Sequence, residues 1–293
     1  GHMKRNSERV YTSTAYKEAV DKHELRARAF TEPHLERRTR GIAHPVWDFL
    51  FDYYPFRASQ LRTWHPGLGA LLVDASATPH ARYPHYETLE DGTVRFNPES
   101  FLAKRRAEMV RIRELLRATQ DRPAHFDCFG MHEWAMVYRT ERPRHDLPLR
   151  LGAAGTDAVV ESHQLKCSHF DAYRFFAPAA RPLNLTVLER EDQIAQDQPG
   201  CVHVTMDLYK WAAKLGPVVP GELLLDAFEL AARARQLDME ASPYDCRSLG
   251  FDVVAVETNE GKAEYVTRQR QLSEEAIPLR SQLVALLDQL LSD

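Results

Sequence analysis

Cysteine is scarce in this chain: four in 293 residues, at Cys128, Cys167, Cys201 and Cys246, with no CxxC pair. That spacing excludes a disulfide framework as the organising device and predicts reduced thiols in a cytoplasmic protein. No apolar run approaches the length of a bilayer crossing and no signal-peptide pattern is visible, so no membrane partner is expected. The charge balance is also unremarkable. A formal net charge of −4 argues against non-specific adhesion to a phosphate backbone. The 13 glycines build no phosphate cradle, because GxGxxG and GxxxxGK[ST] are missing and Gly67-Leu68-Gly69 is too short to stand in for them. His132-Glu133 lacks a second histidine one helical turn later, which removes the zinc-protease motif, and there is no GxSxG elbow.

What the chain does have is an ordinary globular make-up, 44% hydrophobic and 27% charged, in a length that can bury a large core. Gly1-His2-Met3 reads as a remnant of tag cleavage. Residues 4–40 read as a polar helical arm and 41–293 as the main domain, with no internal repeat. The arm carries Arg26, Arg28, Arg37, Arg38 and Arg40, and a second basic run spans 104–117. Both alternate with acids such as Glu24, Glu36, Glu108 and Glu114, so solvated helix faces compete with a nucleic-acid surface. Residues 41–98 contain prolines too often for long helices but are rich in Trp, Phe and Tyr, so packing should order them. Asn97-Pro98-Glu99 opens a helix with Met109, Ile112 and Leu116 on one stripe. Further helices are expected over 130–138, over 206–215 ending at Gly216-Pro217, from Pro220 onward, and from Ser273 to the end. A strand or turn is expected at 157–161, and an edge strand at 251–257. The fold class is mainly α: one compact helical domain with long aromatic and proline-rich loops and room for a small sheet.

Two stretches concentrate chemistry. His125 to Trp134 sets two histidines, two acids and a thiol among aromatic residues, and Glu161 to Phe176 does the same. Buried ionisable groups need partners, so such mixtures suit a polar, aromatic-walled pocket better than a plain core. Glu133 and Asp171 are candidate acid–base carboxylates, with His132 and His203 as further catalytic candidates. The competing role for Glu133 is an ion pair with an arginine such as Arg139 or Arg174. His163, His169 and His132 form a tentative metal set that suits iron or zinc, against hydrogen-bonded histidines that merely order loops. Tyr54, Trp64, His65, Tyr173 and Lys210 are candidate substrate contacts, the aromatic ones because flat rings hold flat ligands. Asp207 stands near the start of a helix, where its charge favours the macrodipole. Gly261 is expected in a tight turn, within a polar cluster that closes over the site or pairs on the surface.

The segments HPVWDFLFDYYPFR (44–57), WHPG (64–67), HFDCFGMHEWAMVYR (125–139), HFDAYRFF (169–176) and VETNEGKAEY (256–265) resemble an actinobacterial family commonly labelled 3-methyladenine DNA glycosylase. The resemblance runs through most of residues 41–270. It implies cleavage of an N-glycosidic bond, with a carboxylate such as Glu133 or Asp171 positioning water and aromatic residues holding the departing base. No helix-hairpin-helix turn with a following aspartate occurs at the spacing helical base-excision enzymes use, so no residue is carried over from them. Three functions stand side by side: hydrolysis or modification of a purine-like base or nucleoside, free or in DNA; a metal-dependent enzyme for a small metabolite; and a non-enzymatic binding protein.

Overall fold

A computed structural model of the chain describes residues 9–292. In chain order it contains β1 (Val10–Tyr11), α1 (Ser13–Thr39), a π-helical turn at Phe49–Tyr53, α2 (Ala58–Arg62), β2 (Leu71–Leu72), β3 (Tyr86–Thr88), β4 (Val94–Phe96) and α3 (Pro98–Asp121). There follow α4 (Met131–Met136), α5 (Gly152–Glu161), α6 (Phe170–Tyr173), α7 (Gln193–Gln196), α8 (Val202–Leu215), α9 (Gly221–Glu240) and α10 (Asn259–Leu291). The result is a mainly α-helical domain with a small sheet. No helix among the described residues is long and apolar enough to cross a membrane.

The centre of the fold is the antiparallel pair α8 and α9, packed against α10, which in turn lies along α3. Gly216, at φ +54°, and Pro217 end α8, and the Pro220 carbonyl accepts the first helical bond of α9. Leu223, Ala227, Leu230, Ala234 and Leu237 of α9 are all buried, as their helical spacing requires. Asn97 caps α3 by accepting from the Ser100 amide, and Pro98 occupies the first turn, where its missing N–H costs nothing.

Residues 4–8 of the expected N-terminal arm lie outside the described residues, and the rest of it is docked on the main domain. His23, Ala27, Thr31 and His34 of α1 form its buried stripe, and Arg26 pairs with Asp226 and Glu229 of α9. The sheet has the order β1-β2-β4-β3, with β1 parallel to β2 and the remaining pairs antiparallel. Three of its strands, β2 to β4, are drawn from the proline-rich region.

Three local expectations are corrected. Residues 157–161 belong to helix α5: Thr156 and Val160 are buried one turn apart while Ala158 between them is exposed, whereas a strand would bury all three on one face. Residues 251–257 form no strand. Val254 and Val256 are buried alternately, as in a strand, but the segment binds the C-terminal end of α9, with the Val254 amide donating to the Glu240 carbonyl. Helix α10 begins at Asn259, fourteen residues before Ser273, and continues through Pro278. Gly261 is consequently in its first turn, where the amide donates to the Thr258 cap at 3.0 Å. A Cβ at Gly261 would lie 1.8 Å from the Ala255 carbonyl oxygen, so close backbone approach and not a tight turn explains the glycine.

Gly261→Ala must push Ala255 away from α10. The expected cost is about 1–3 kcal/mol, typical of overpacking, against about 1 kcal/mol for loss of the cap in Thr258→Ala. Urea denaturation reads both. A Gly261→Ala variant as stable as the parent would contradict this packing of the start of α10.

Candidate active site

Helix α8 is buried nearly all round, yet it carries His203 and Asp207 four residues apart on one face. Helix α9 likewise carries Arg235 and Asp238 three apart on its buried side. These inward-facing polar groups meet His132 and Glu133 from α4 and His169, the residue that caps α6. Polar side chains at zero to a few per cent exposure need partners, and the partners are each other.

Asp238, fully buried, accepts from His132 Nε2 at 2.5 Å through one oxygen and from Arg235 Nη1 at 2.8 Å through the other. Arg235 Nη1 also donates to Glu133 Oε1 at 2.7 Å, its Nε donates to the Pro45 carbonyl at 3.1 Å, and its guanidinium lies 4.2 Å from the Phe49 ring centroid. Burial by itself would depress His132, but the Asp238 charge outweighs it and raises the imidazole well above its ordinary value. Asp238 moves the opposite way: burial pushes it up and His132 pulls it further down.

A second pair lies beside the first. His169 Nε2 donates to Asp207 Oδ2 at 2.7 Å, and the Tyr54 hydroxyl donates to Oδ1 at 2.9 Å. Burial lowers His169, yet Asp207 carries it up to about 9. The Ala172 amide, 3.2 Å from Nδ1, needs that nitrogen's lone pair and opposes this by favouring a neutral ring with its proton on Nε2. Between the two pairs stands His203. Its ring centroid is 4.4 Å from that of His132 and 5.2 Å from that of His169, with which it stacks at 20°. Burial, reinforced by His132, holds His203 well below its ordinary value, so the ring is neutral, and its Nε2 has no hydrogen-bond partner among the described residues.

These groups floor a cavity of about 450 Å³, within the usual range for small-molecule sites. Glu133, His169, His203, Asp207 and Arg235 form its polar end, and Asp171 lies on the rim. Phe49 and Tyr53, stacked at 4.8 Å, wall one side, and Phe175 meets Tyr53 edge-on at 5.9 Å. Arg144 and Arg174 each lie 4.6 Å from the Phe175 centroid. Residues 43–54, 133–147, 169–175, 203–207, 235 and 249 thus converge from six parts of the chain.

Of the expected site residues, Glu133, Asp171, His203, His169 and Tyr54 line this cavity, and His132 stands immediately behind it. Glu133 does pair with an arginine, but the partner is Arg235 and not Arg139 or Arg174. Asp171 is held by Arg174 at 3.1 Å, Lys210 at 3.4 Å and Arg190 at 3.9 Å. Several placements are corrected. Trp64 and His65 belong to a separate aromatic cluster beneath the sheet, where Trp64 meets Tyr11, Tyr16 and His80 edge-on and His65 Nδ1 bonds the Tyr86 hydroxyl at 2.6 Å. Lys210 points to Asp171 and over the Trp211 ring, outside the cavity, and Tyr173 is a core residue against Phe176. His163 leaves the metal set altogether, because its Nδ1 lies 2.7 Å from the Val159 carbonyl of the preceding helix α5.

The remaining imidazoles fall into two groups, His132 with His203 and Asp238, and His169 with Asp197 and Asp207, whose donor atoms lie within 4.8 Å of one another in each case. Both use residue types that suit zinc or iron. In the first, however, both Asp238 oxygens are already engaged, and a bound cation would have to displace Arg235. Asp207 was expected to serve the helix dipole and instead joins His169 and Tyr54. Arg235 and Asp238 were not singled out at all. The signal was available: an Arg-x-x-Asp pair on the stripe of α9 that its leucines and alanines mark as buried.

His203 is neutral in the fold and titrates near about 6.5 when unfolded, so the unfolded chain binds the extra proton as pH falls. His44, lowered to about 4, and His65, lowered to about 3, act in the same direction, all three through burial first. Stability from these groups is complete above about pH 6.5 and is lost as the pH falls below it. His203→Asn should reduce the slope of unfolding free energy by up to about 1.4 kcal/mol per pH unit below pH 6, read by urea denaturation at stepped pH. An unchanged slope would mean that the ring already carries its proton in the fold.

Comparison of the chain with protein-family models, with curated proteins and with solved structures finds no match.

Proposed function

We propose that the protein is a hydrolase of a small, flat, purine-like base or nucleoside, cleaving its N-glycosidic bond in the aromatic cavity. One observation carries this reading: a neutral imidazole with an unpartnered nitrogen, His203, shares an enclosed cavity wall with the Glu133 carboxylate and faces aromatic walls. The resemblance to proteins labelled 3-methyladenine DNA glycosylase agrees with it. The cavity size suits a free nucleoside or a single extruded base, and a duplex would remain outside.

In this mechanism the base lies against Phe175 and the Phe49–Tyr53 stack, with Tyr54 and Arg235 limiting its depth. Glu133, fixed by Arg235, orients a water toward the anomeric carbon. His203 Nε2 accepts the proton that the water gives up and passes it to the departing base nitrogen, or to solvent when a methylated base leaves already cationic. Positive charge growing on the sugar as the base leaves is stabilised by the nearby Glu133 and Asp207 carboxylates. Lys210, Arg174 and Arg190 hold Asp171 at the rim, where it can bind sugar hydroxyls.

The test is base release followed by chromatography, with unmodified and methylated purine nucleosides and methylated single-stranded DNA as substrates. Glu133→Gln and His203→Asn should each lower the rate by about 10²–10⁴, the usual range for loss of a positioned acid–base group. Folding of each variant is checked by circular dichroism. No release from any substrate by the parent protein, or equal rates in the variants, would overturn the proposal. So would one equivalent of iron or zinc in purified protein that disappears in His203→Asn, since metal chemistry would then replace acid–base chemistry.

A further inference from the structure

His132 has two neighbours on opposite sides of its ring, and the cavity chemistry above uses neither. Nε2 faces Asp238 at 2.5 Å, while Nδ1 faces the Cys128 thiol at 3.7 Å. Cys128 is half-buried, and together with His132 it lines a second cavity of about 250 Å³, on the far side of the histidine cluster from the first. His203, more than nine-tenths buried and with its Nε2 unpartnered, stands in the wall common to both cavities. We infer that Cys128, His132 and Asp238 form a thiol–imidazole–carboxylate triad, with Cys128 as the nucleophile toward a small acyl compound admitted by the second cavity.

The geometry meets two demands of that chemistry. The nucleophile and base are within reach, and the base is oriented through its other nitrogen by a buried carboxylate. Asp238 accepts from Nε2 and stabilises the imidazolium, so Nδ1 is the nitrogen that holds the proton taken from the thiol. Arg235, bonded to the second Asp238 oxygen, keeps the carboxylate aimed at the ring. The backbone after Cys128 is also unusual: Phe129 and Gly130 are both left-handed, at φ +53° and +68°. This double turn brings the thiol over the ring four residues later. A Cβ at Gly130 would come within 3.2 Å of the Tyr265 ring, so the turn cannot relax toward α10.

In the reaction, Cys128 Sγ bonds to the acyl carbon as the bond to the leaving group breaks. The thiol proton passes to His132 Nδ1 and from there to the leaving group. Water, deprotonated by the same nitrogen, then cleaves the thioester and restores the thiol. The other cysteines are poor competitors, because burial pushes Cys167 up beyond the range where thiolate forms, Cys201 well above its ordinary value and Cys246 to about 11. Besides His132, the ionisable groups around Cys128 are Cys167, Cys201 at the cap of α8, Tyr265 from α10, and, lining the same cavity, Arg122, His125, His203 and the Lys166–Asp127 pair.

The experiment is alkylation of the full chain by iodoacetamide, with each cysteine peptide followed by mass spectrometry over a pH series. A thiolate held by His132 reacts at Cys128 almost equally at about pH 6 and pH 8, whereas a free thiol of pKa about 8.5 slows by nearly a hundredfold between them. In His132→Gln the flat profile should give way to the free-thiol slope. Incubation with p-nitrophenyl acetate should release one equivalent of nitrophenol in a burst and leave an acetyl group on Cys128, and Cys128→Ser should show neither. A parent profile that follows ordinary thiol ionisation would overturn the triad, and that measurement decides the matter even if His132→Gln fails to fold. A flat profile that persists in a folded His132→Gln, or acetylation at another cysteine, would overturn it equally.

Discussion

Arg235 is the group on which the interior depends. It is almost wholly buried, and its guanidinium joins Glu133 of α4, Asp238 of its own helix, the Pro45 carbonyl and the face of Phe49. Burial disfavours its charge, and the two carboxylates restore it. Removing one member of such a set leaves uncompensated charge in a low-dielectric interior, which typically costs about 3–5 kcal/mol. The same contacts tie the aromatic segment around residues 45–49 to the helical core, so the cavity wall and its floor are held by one side chain.

Around that charge the histidines divide into distinct states. His132 and His169 each hydrogen-bond an aspartate, while His203 lies between them with its Nε2 4.0 Å from Asp238, beyond hydrogen-bond reach. Burial, reinforced by the charge on His132, keeps the central ring neutral. The cluster therefore offers a free base at its centre and oriented imidazoles at its sides. Its two faces open on different cavities, one aromatic and acidic, the other bearing thiols. A single buried network can serve both because each ring presents two nitrogens in opposite directions.

The helical stripes of α3 and α9, the break at Gly216-Pro217 and the order of the proline-rich region were legible because burial of one face imposes a period that survives in sequence. Helix α5 was missed, since its glycines and β-branched residues weaken the local signal and its helix rests on two buried contacts and neighbouring segments. The alternation of Val254 and Val256 was read correctly as burial and wrongly as a strand. Alternate burial needs only a surface to lie against, and here that surface is the end of α9, with no ladder partner. Among site residues, Glu133, His203 and Tyr54 were visible from their aromatic and polar context. Trp64 and His65 had the same context and went elsewhere, because composition records that a ring is buried and not which cluster buries it.

From the residues alone came a mainly helical chain, the positions of its principal apolar stripes, and two segments too rich in ionisable groups for a plain core. The tertiary structure decided which of those groups meet. Arg235 pairs with Glu133 across 102 positions, His132 with Asp238 across 106, and His169 with Asp207 across 38. Periodicity is a local property of a helix face and is written along the chain. The pairing of buried charges depends on how separate faces are brought together, and spacing along the chain carries no record of that.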